Sequence, residues 1–272
     1  MLPESVCQAL CKSPVLGRGS VKQVYGCHVG ETNDAGAVTS VLCDEKLERC
    51  GVPFAAGGRP PLGLRPRGTI AARDPVGAFF AGMAHVEAAA VDGFVELATA
   101  LAVHRAPTLL VENARRAADD ERRHARVAAA FARRFGASAP PPVVIDAVAA
   151  PSLETLAVAN AREGCVVETY GAVVTEWQSR TARDRALRRA FVNIARDEMR
   201  HAELAFAVAR WLHAQLDDLA RRRVYDAMRA AAADLARDLD APPPPRLVAA
   251  VGLPDRDTAR DLLADLRARL WT

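Results

Sequence analysis

The chain has 272 residues, 25% of them charged and 50% hydrophobic, and a formal net charge of +3 at pH 7. This length and apolar content suffice for one large or two small domains with a hydrophobic core. The net charge is small and the arginines alternate with acidic residues, so nucleic-acid binding is not expected. No apolar run of about 18 residues occurs, so no membrane span is expected.

Residues 1–72 differ in composition from the remainder of the chain. They contain glycines, prolines and short apolar runs such as Val38–Leu42, which predict an irregular or β-containing region. The region also holds five of the six cysteines, at positions Cys7, Cys11, Cys27, Cys43 and Cys50. No Cys-x-x-Cys pair is present, which disfavours a zinc ribbon. An odd number of cysteines also does not fit a complete disulfide framework.

The first residues do not resemble a signal peptide, because Pro3, Glu4 and Lys12 occupy positions where a basic start and an apolar run would be needed. Two locations therefore stay open. The protein is expected to be cytoplasmic, with reduced thiols, if Met1 is the true start. It is expected to be exported if a signal peptide is missing from this sequence, and disulfides are then favoured.

Residues 73–214 contain an internal duplication. The phrase Asp-Glu-x-Arg-His occurs at residues 120–124 and again, 77 residues later, at residues 197–201. Flanking alanines and arginines match as well, so a whole helix is duplicated. A glutamate and a histidine three residues apart lie on one helix face, where both can hold one metal ion.

The helix before each phrase carries a matching glutamate. Glu87 and Glu163 align at an offset of 76 residues, and each interrupts an apolar stripe of seven-residue steps. The stripes are Phe80, Glu87, Phe94, Leu101 and Leu156, Glu163, Tyr170, Trp177. Glu168 lies five residues beyond Glu163 and is therefore rotated off the stripe. Glu163 is the preferred ligand, and Glu168 is an extra or alternative one.

Buried carboxylates need a compensating charge, because an ionised carboxylate is costly in a low-dielectric interior and four together repel one another. Two divalent cations would cancel four carboxylates and leave the neutral imidazoles as nitrogen ligands. A single Glu-x-x-His could arise by chance in a helix rich in alanine, arginine and glutamate. Two copies, each partnered by a glutamate on an apolar stripe, favour a metal site.

The remaining signals place the helix boundaries. Breaks are predicted at residues 105–108, with Pro107 in a first turn, and at residues 180–184, with Asp184 as N-cap. The polar, proline-rich stretch at residues 136–151 could span roughly 50 Å when extended, against roughly 42 Å for a bundle helix, so it can form one long crossover. The pattern of residues 215–272 predicts further helices that pack against or extend the bundle. These helices could also form the interface of a homodimer.

With these motifs, residues 78–214 resemble the ferritin-like di-iron carboxylate superfamily. Asp-Glu-x-Arg-His is similar to the helix signature of soluble desaturases and bacterial multicomponent monooxygenases, and residues 162–169 resemble uncharacterised bacterial ferritin-like domain proteins; rubrerythrins are more distant. The resemblance implies a mainly α fold: a ferritin-like four-helix bundle with a long crossover, a small cysteine-containing N-terminal region and extra C-terminal helices. It implies metal ligands at Glu87, Glu121, His124, Glu163, Glu198 and His201.

The resemblance also implies an outer layer around the ligands. Asp120 and Asp197 would accept hydrogen bonds from the ligand imidazoles, which raises ligand basicity, and Arg123 and Arg200 would accompany them. An alternative interpretation makes these four residues an ordinary solvated face with surface ion pairs.

The implied activity is that of a dinuclear centre with two Fe ions, or Mn, since ligand type does not separate these metals. It would activate O2 or peroxide as an oxidase or oxygenase that acts on an unknown small-molecule substrate and uses an external reductant. The absence of a rubredoxin-type cysteine pair disfavours a self-contained rubrerythrin. Two alternatives stay open: an iron-binding ferroxidase or peroxide-scavenging protein, and a non-catalytic bundle with a vestigial site.

Overall fold

The computed structural model describes residues 20–32, 38–48, 58–62, 64, 70, 72–138, 143–145 and 150–271. It divides into two compact units, Met1–Gly51 with Gly63–Pro66, and Val52–Leu62 with Arg67–Thr272. The second unit is built from helices, which confirms the prediction of a mainly α protein. It also includes residues 52–62, which the predicted boundary at residue 72 had assigned to the N-terminal region.

The first unit contains an antiparallel hairpin of β1 (Ser20–Thr32) and β2 (Val38–Glu48). The hairpin lies in the region for which β structure was an option. Its register shifts at several points, and Cys27 is the register partner of Cys43. The predictions about the cysteines of this region concern side chains outside the described part of the chain.

Helices α1 (Pro75–Val103) and α2 (Thr108–Arg134) form the first half of the bundle. The Asp74 side chain caps α1 by accepting a hydrogen bond from the backbone N–H of Val76. Pro75 occupies the first turn, where a backbone N–H would have no partner within the helix, so its absence in proline costs nothing. The short connection between the helices agrees with the predicted break at residues 105–108.

The third helical stretch runs without interruption through three segments: α3 (Leu153–Ala159), a π-helical segment (Asn160–Glu168) and α4 (Thr169–Thr181). Helix α5 (Arg185–His213) follows. The prediction of Asp184 as its N-cap is confirmed, because that carboxylate accepts hydrogen bonds from the backbone N–H groups of Ala186 and Leu187. π-Helical segments are rare in proteins, and those that occur are often found at functional sites.

The C-terminal part contains α6 (Asp218–Asp238), α7 (Pro245–Val251) and α8 (Arg256–Leu270). Helix α7 is short and begins at the end of the proline run at residues 242–245. Pro245 stands in the first turn, where its fixed φ suits a helix start. None of the helices in the described residues has the length and apolarity to cross a membrane.

Two apolar clusters form the core of the helical unit. The first joins Phe80, Phe191 and Tyr170 to side chains of the C-terminal helices, including Leu263 and Trp271. The second cluster contains Phe94, Leu101, Leu110, Val208 and Leu212. The C-terminal helices thus share a core with the bundle, as predicted, and the two clusters leave a middle layer between them.

Candidate metal centre

The middle layer holds the buried polar residues of the repeat. In α1 the first cluster reaches Ala84 and the second begins at Phe94, and Glu87 lies between them. In the same way Glu121 and His124 lie mid-way along α2, and Glu198 and His201 lie mid-way along α5. All five side chains are at most 2% exposed. The apolar clusters therefore shield this layer from water on two sides.

Four of these residues converge on one point. Glu87, Glu121, His124 and Glu198 each offer a ligand atom within 4.8 Å of the others. The Nδ1 atom of His124 lies 3.2 Å from Glu198 Oε1 and 3.5 Å from Glu121 Oε2. It lies 4.0 Å from Glu87 Oε2. These three helices thus form a set of oxygen and nitrogen donors that could hold a metal ion.

His201 adjoins the same glutamates from the other side. Its Nδ1 atom lies 3.1 Å from Glu121 Oε1 and 3.7 Å from Glu198 Oε2. In both Glu121 and Glu198, one carboxylate oxygen therefore faces His124 and the other faces His201. Each of these two carboxylates could therefore hold a metal ion together with either imidazole.

The two aspartates of the repeated phrase contact the histidines crosswise. Asp197 Oδ2 lies 3.1 Å from His124 Nε2, and Asp120 Oδ2 lies 3.4 Å from His201 Nε2. Each pair joins α2 to α5. With Nε2 oriented outward to an aspartate, Nδ1 of each ring is left to face the glutamates.

Both arginines of the phrase join this arrangement. Arg123 and Arg200 each contact both Asp120 and Asp197, and Arg200 Nη2 lies 3.0 Å from Asp120 Oδ2. The arginine side chains are 48% and 41% exposed, whereas Asp120 is 4% and Asp197 is 14% exposed. The aspartates therefore do not form a solvated face, although the arginines do reach the surface.

The glutamate of the third helical stretch differs from the prediction. Glu168 is fully buried, at 0% exposure, whereas Glu163 is partly exposed. The charges of His201, Glu198 and Glu121 also shift the pKa of the Glu168 carboxyl group. Glu168 therefore interacts electrostatically with the residues of the centre. The expectation that Glu163 is the inward residue and Glu168 lies off the stripe is thus wrong.

The π-helical segment explains this error. The predicted stripe counted seven-residue steps from Leu156 through Glu163 to Tyr170, as in an α-helix. Residues 160–168 instead bond from i to i+5, so that each turn contains more than the 3.6 residues of an α-helix. Every position inside this segment is therefore rotated relative to the α-helical count, and Glu168 turns inward.

The carboxyl groups influence one another strongly. Burial and the nearby charge of Glu121 raise the pKa of Glu87 well above its usual value. Burial alone would also raise the pKa of Glu121, but its contacts with Glu87 and the imidazoles lower it. The pKa values of these two neighbouring carboxyl groups are therefore shifted in opposite directions.

The imidazoles carry the balancing charge. Burial alone would lower the pKa of His124, but its contacts with Asp197 and Glu121 raise it. The pKa of His201 is raised for the corresponding reason, through Asp120 and Glu121. Both imidazoles therefore bind a proton more strongly than a free histidine does.

The donor atoms of the layer fit a metal. Among the described residues, the buried atoms without a hydrogen-bond partner include both Nδ1 atoms, both oxygens of Glu121 and of Glu198, and Glu87 Oε2. Buried polar groups are normally hydrogen-bonded, so such a group of unsatisfied atoms requires an explanation. Carboxylate oxygens and imidazole nitrogens facing one point form a donor set that suits a divalent metal ion.

A cavity of about 370 Å³ adjoins this centre between α2 and α5. Its lining includes His124 and Asp197 together with apolar side chains of both helices. Arg123 and Arg196 also line it. A small molecule in this cavity would therefore contact the outer layer of the centre.

Two buried polar residues beside the centre were not predicted. Arg59, from the segment before α1, is 5% exposed, and its Nη2 atom donates a hydrogen bond of 2.9 Å to Asn160 Oδ1. The same atom lies 3.8 Å from Glu168 Oε2. Burial raises the pKa of Glu168 to about 7, and the charge of Arg59 limits this rise. No periodic pattern in the sequence marks Arg59, because it lies outside the predicted helices.

Comparison with protein-family models, with curated proteins and with solved structures finds no match to this chain. What can be stated of the protein is thus a helical fold with a buried glutamate and histidine cluster that could hold a metal ion.

Proposed function

We propose that this protein binds two divalent metal ions, iron or manganese, in a ferritin-like carboxylate centre that activates O2 or peroxide. Glu87, Glu121, His124, Glu168, Glu198 and His201 are the proposed ligands. The observation that carries the proposal is the convergence of buried donor atoms that lack hydrogen-bond partners among the described residues. An oxidase or oxygenase acting on a small substrate is the preferred activity.

The chain's own residues would prepare such a centre. Glu87, Glu121, Glu168 and Glu198 would balance the four positive charges of two divalent ions, while the crosswise aspartates hold the imidazoles with Nδ1 inward. The apolar clusters exclude water, which strengthens every electrostatic interaction in the layer. A bound pair of redox-active ions would supply electrons to the oxidant, and an external reductant would restore them.

The cavity between α2 and α5 is the proposed approach for a small substrate. It lies beside His124 and Asp197, and it combines an apolar lining with arginine side chains. Ligand sites commonly combine apolar walls with a few polar groups that fix orientation. This supports a small organic substrate over a macromolecular one.

Metal analysis of protein purified from iron-supplemented cells tests the proposal. We expect about two iron atoms per chain and substrate-dependent O2 consumption after anaerobic reduction. Iron loading far beyond two atoms per chain would favour the ferroxidase or storage alternative. Consumption of peroxide in the absence of a substrate would favour a peroxide scavenger. Protein without metal would favour the vestigial site.

The variant Glu121→Ala with Glu198→Ala tests the ligand assignment. Because both carboxylates face both imidazoles, the double variant should lose metal binding altogether. The matched control is Glu112→Ala with Glu203→Ala, which removes two exposed glutamates from the same two helices. If the Glu121 and Glu198 double variant keeps two iron atoms per chain, the assignment is wrong.

A further inference from the structure

We infer that Arg59, through its buried charge and its ion pair with Glu168, weakens metal binding at the second position, so that the two metal ions bind this protein with unequal affinity. This inference rests on the proposed metal centre. It concerns a residue outside the repeat, and it predicts an order of binding that the ligand set alone does not.

The segment containing Arg59 is fixed against the bundle. The backbone N–H of Leu62 donates a hydrogen bond of 2.9 Å to Glu96 Oε2 of α1. A Cβ atom at Gly93 would lie 2.0 Å from the carbonyl oxygen of Arg59, so only glycine allows this close approach. The backbone of Arg59 is therefore held at one place along α1.

The position of the Arg59 guanidinium group is also fixed by its contacts. Asn160 accepts the hydrogen bond from Arg59 while its own amide donates to the carbonyl oxygen of Ala205, at 2.9 Å, which fixes the orientation of the amide. A Cβ atom at Gly164 would lie 2.4 Å from Arg59 Nη2. The π-helical segment thus supplies both the acceptor and the space for this side chain.

Arg59 lies on the side of the centre that His201 occupies. Its guanidinium carbon lies 5.5 Å from the centroid of the Phe94 ring, and the same ring lies 4.9 Å from the His201 ring. Its ion pair with Glu168 completes this side. The compact set around His124 includes neither Glu168 nor His201. The half of the centre around His124 is therefore a compact set of ligand atoms. The half around His201 lies beside the buried positive charge of Arg59.

A fixed positive charge would oppose a metal ion in that second half. Arginine keeps its charge at every accessible pH, so it cannot be discharged when a cation arrives. The guanidinium both repels the incoming ion and competes with it for Glu168. A first ion would therefore bind among Glu87, Glu121, His124 and Glu198, and a second would bind more weakly at Glu168 and His201.

Calorimetric titration of the metal-free protein with Co²⁺ alone, under anaerobic conditions, tests the inference. The wild type should show two binding events. Arg59→Met should tighten the second event by roughly tenfold or more, as removal of a nearby charge from a partly desolvated site implies, and leave the first within about twofold. Arg59→Gln, which replaces the charge with a neutral polar side chain, should do the same and carries the test if Arg59→Met does not fold.

Two controls separate charge from packing. Arg59→Lys retains the charge and should retain the weak second event. Arg162→Met removes a half-buried arginine of the π-helical segment, which pairs with Asp234 at 3.7 Å, and should change neither event. An unchanged or weakened second event in both neutral Arg59 variants would overturn the inference, as would an equal change in both events. If wild-type protein binds no Co²⁺, the proposed metal centre itself fails.

Discussion

At the scale of single residues, the crosswise contacts between aspartates and histidines are the most specific feature of the centre. Each aspartate of the repeated phrase serves the histidine of the other copy, so the two Glu-x-x-His helices depend on each other. The resemblance had suggested aspartates that accept from the imidazoles, but sequence alone did not say which aspartate meets which ring. The pairing depends on how α2 and α5 pack.

This pairing predicts different effects for the two aspartates. Asp197→Asn should weaken the first Co²⁺ binding event by about 10- to 100-fold, the usual effect of losing an outer-shell partner, because Asp197 orients His124. Asp120→Asn should weaken the second event, through His201. Titration calorimetry of both variants measures this. Asp119→Asn, an exposed neighbour paired with Arg122, is the control that should change neither event. Effects assigned to the opposite events would contradict the pairing.

At the scale of elements, much of the helical architecture follows from local signals. Asp184 is the N-cap of α5 as predicted, whereas Pro107 is the N-cap of α2 and not part of its first turn. Both helix starts are near their predicted places, since caps and prolines at helix starts act over a few residues. The inward positions of Glu87, Glu121 and Glu198 follow from apolar periodicity. The π-helical segment does not follow, because its altered turn breaks the α-helical count without a recognisable residue pattern. Arg59 was missed because it reaches the centre from outside the bundle helices.

The π-helical segment yields a direct comparison between two glutamates five residues apart. Glu168→Gln should reduce bound metal from about two ions per chain to about one, because it removes a buried carboxylate beside His201. Glu163→Gln should leave two, since that side chain is partly exposed. Metal analysis after dialysis against a weak chelator measures both. Loss of metal in the Glu163 variant alone would restore the periodic prediction and contradict the assignment of Glu168.

At the scale of the whole molecule, the centre occupies the layer between the two apolar clusters, so its charge state affects the stability of the entire helical unit. In the metal-free protein, Glu87 and both imidazoles have a raised pKa. A raised pKa stabilises the fold at low pH and loses this effect as the pH increases through the folded value. The raised pKa values of these three groups favour the metal-free fold at lower pH, whereas the lowered pKa values of Glu121 and Glu198 make the fold lose stability in acid.

Metal ions and protons compete for these groups, which predicts a pH-dependent thermal shift. Ligands must be deprotonated to bind metal, so binding releases protons and strengthens as the pH rises. At a free metal concentration about 100 times the dissociation constant, the melting temperature should rise by about 5 to 10 °C.

Differential scanning calorimetry with Mn²⁺ at fixed concentration measures this shift, which should be larger at pH 8 than at pH 6. The Glu121→Ala, Glu198→Ala variant should show no shift at either pH, since it lacks the shared carboxylates. A shift that is equal at both pH values would contradict proton displacement at the centre. A shift of the same size in the double variant would mean that the ion stabilises the protein elsewhere.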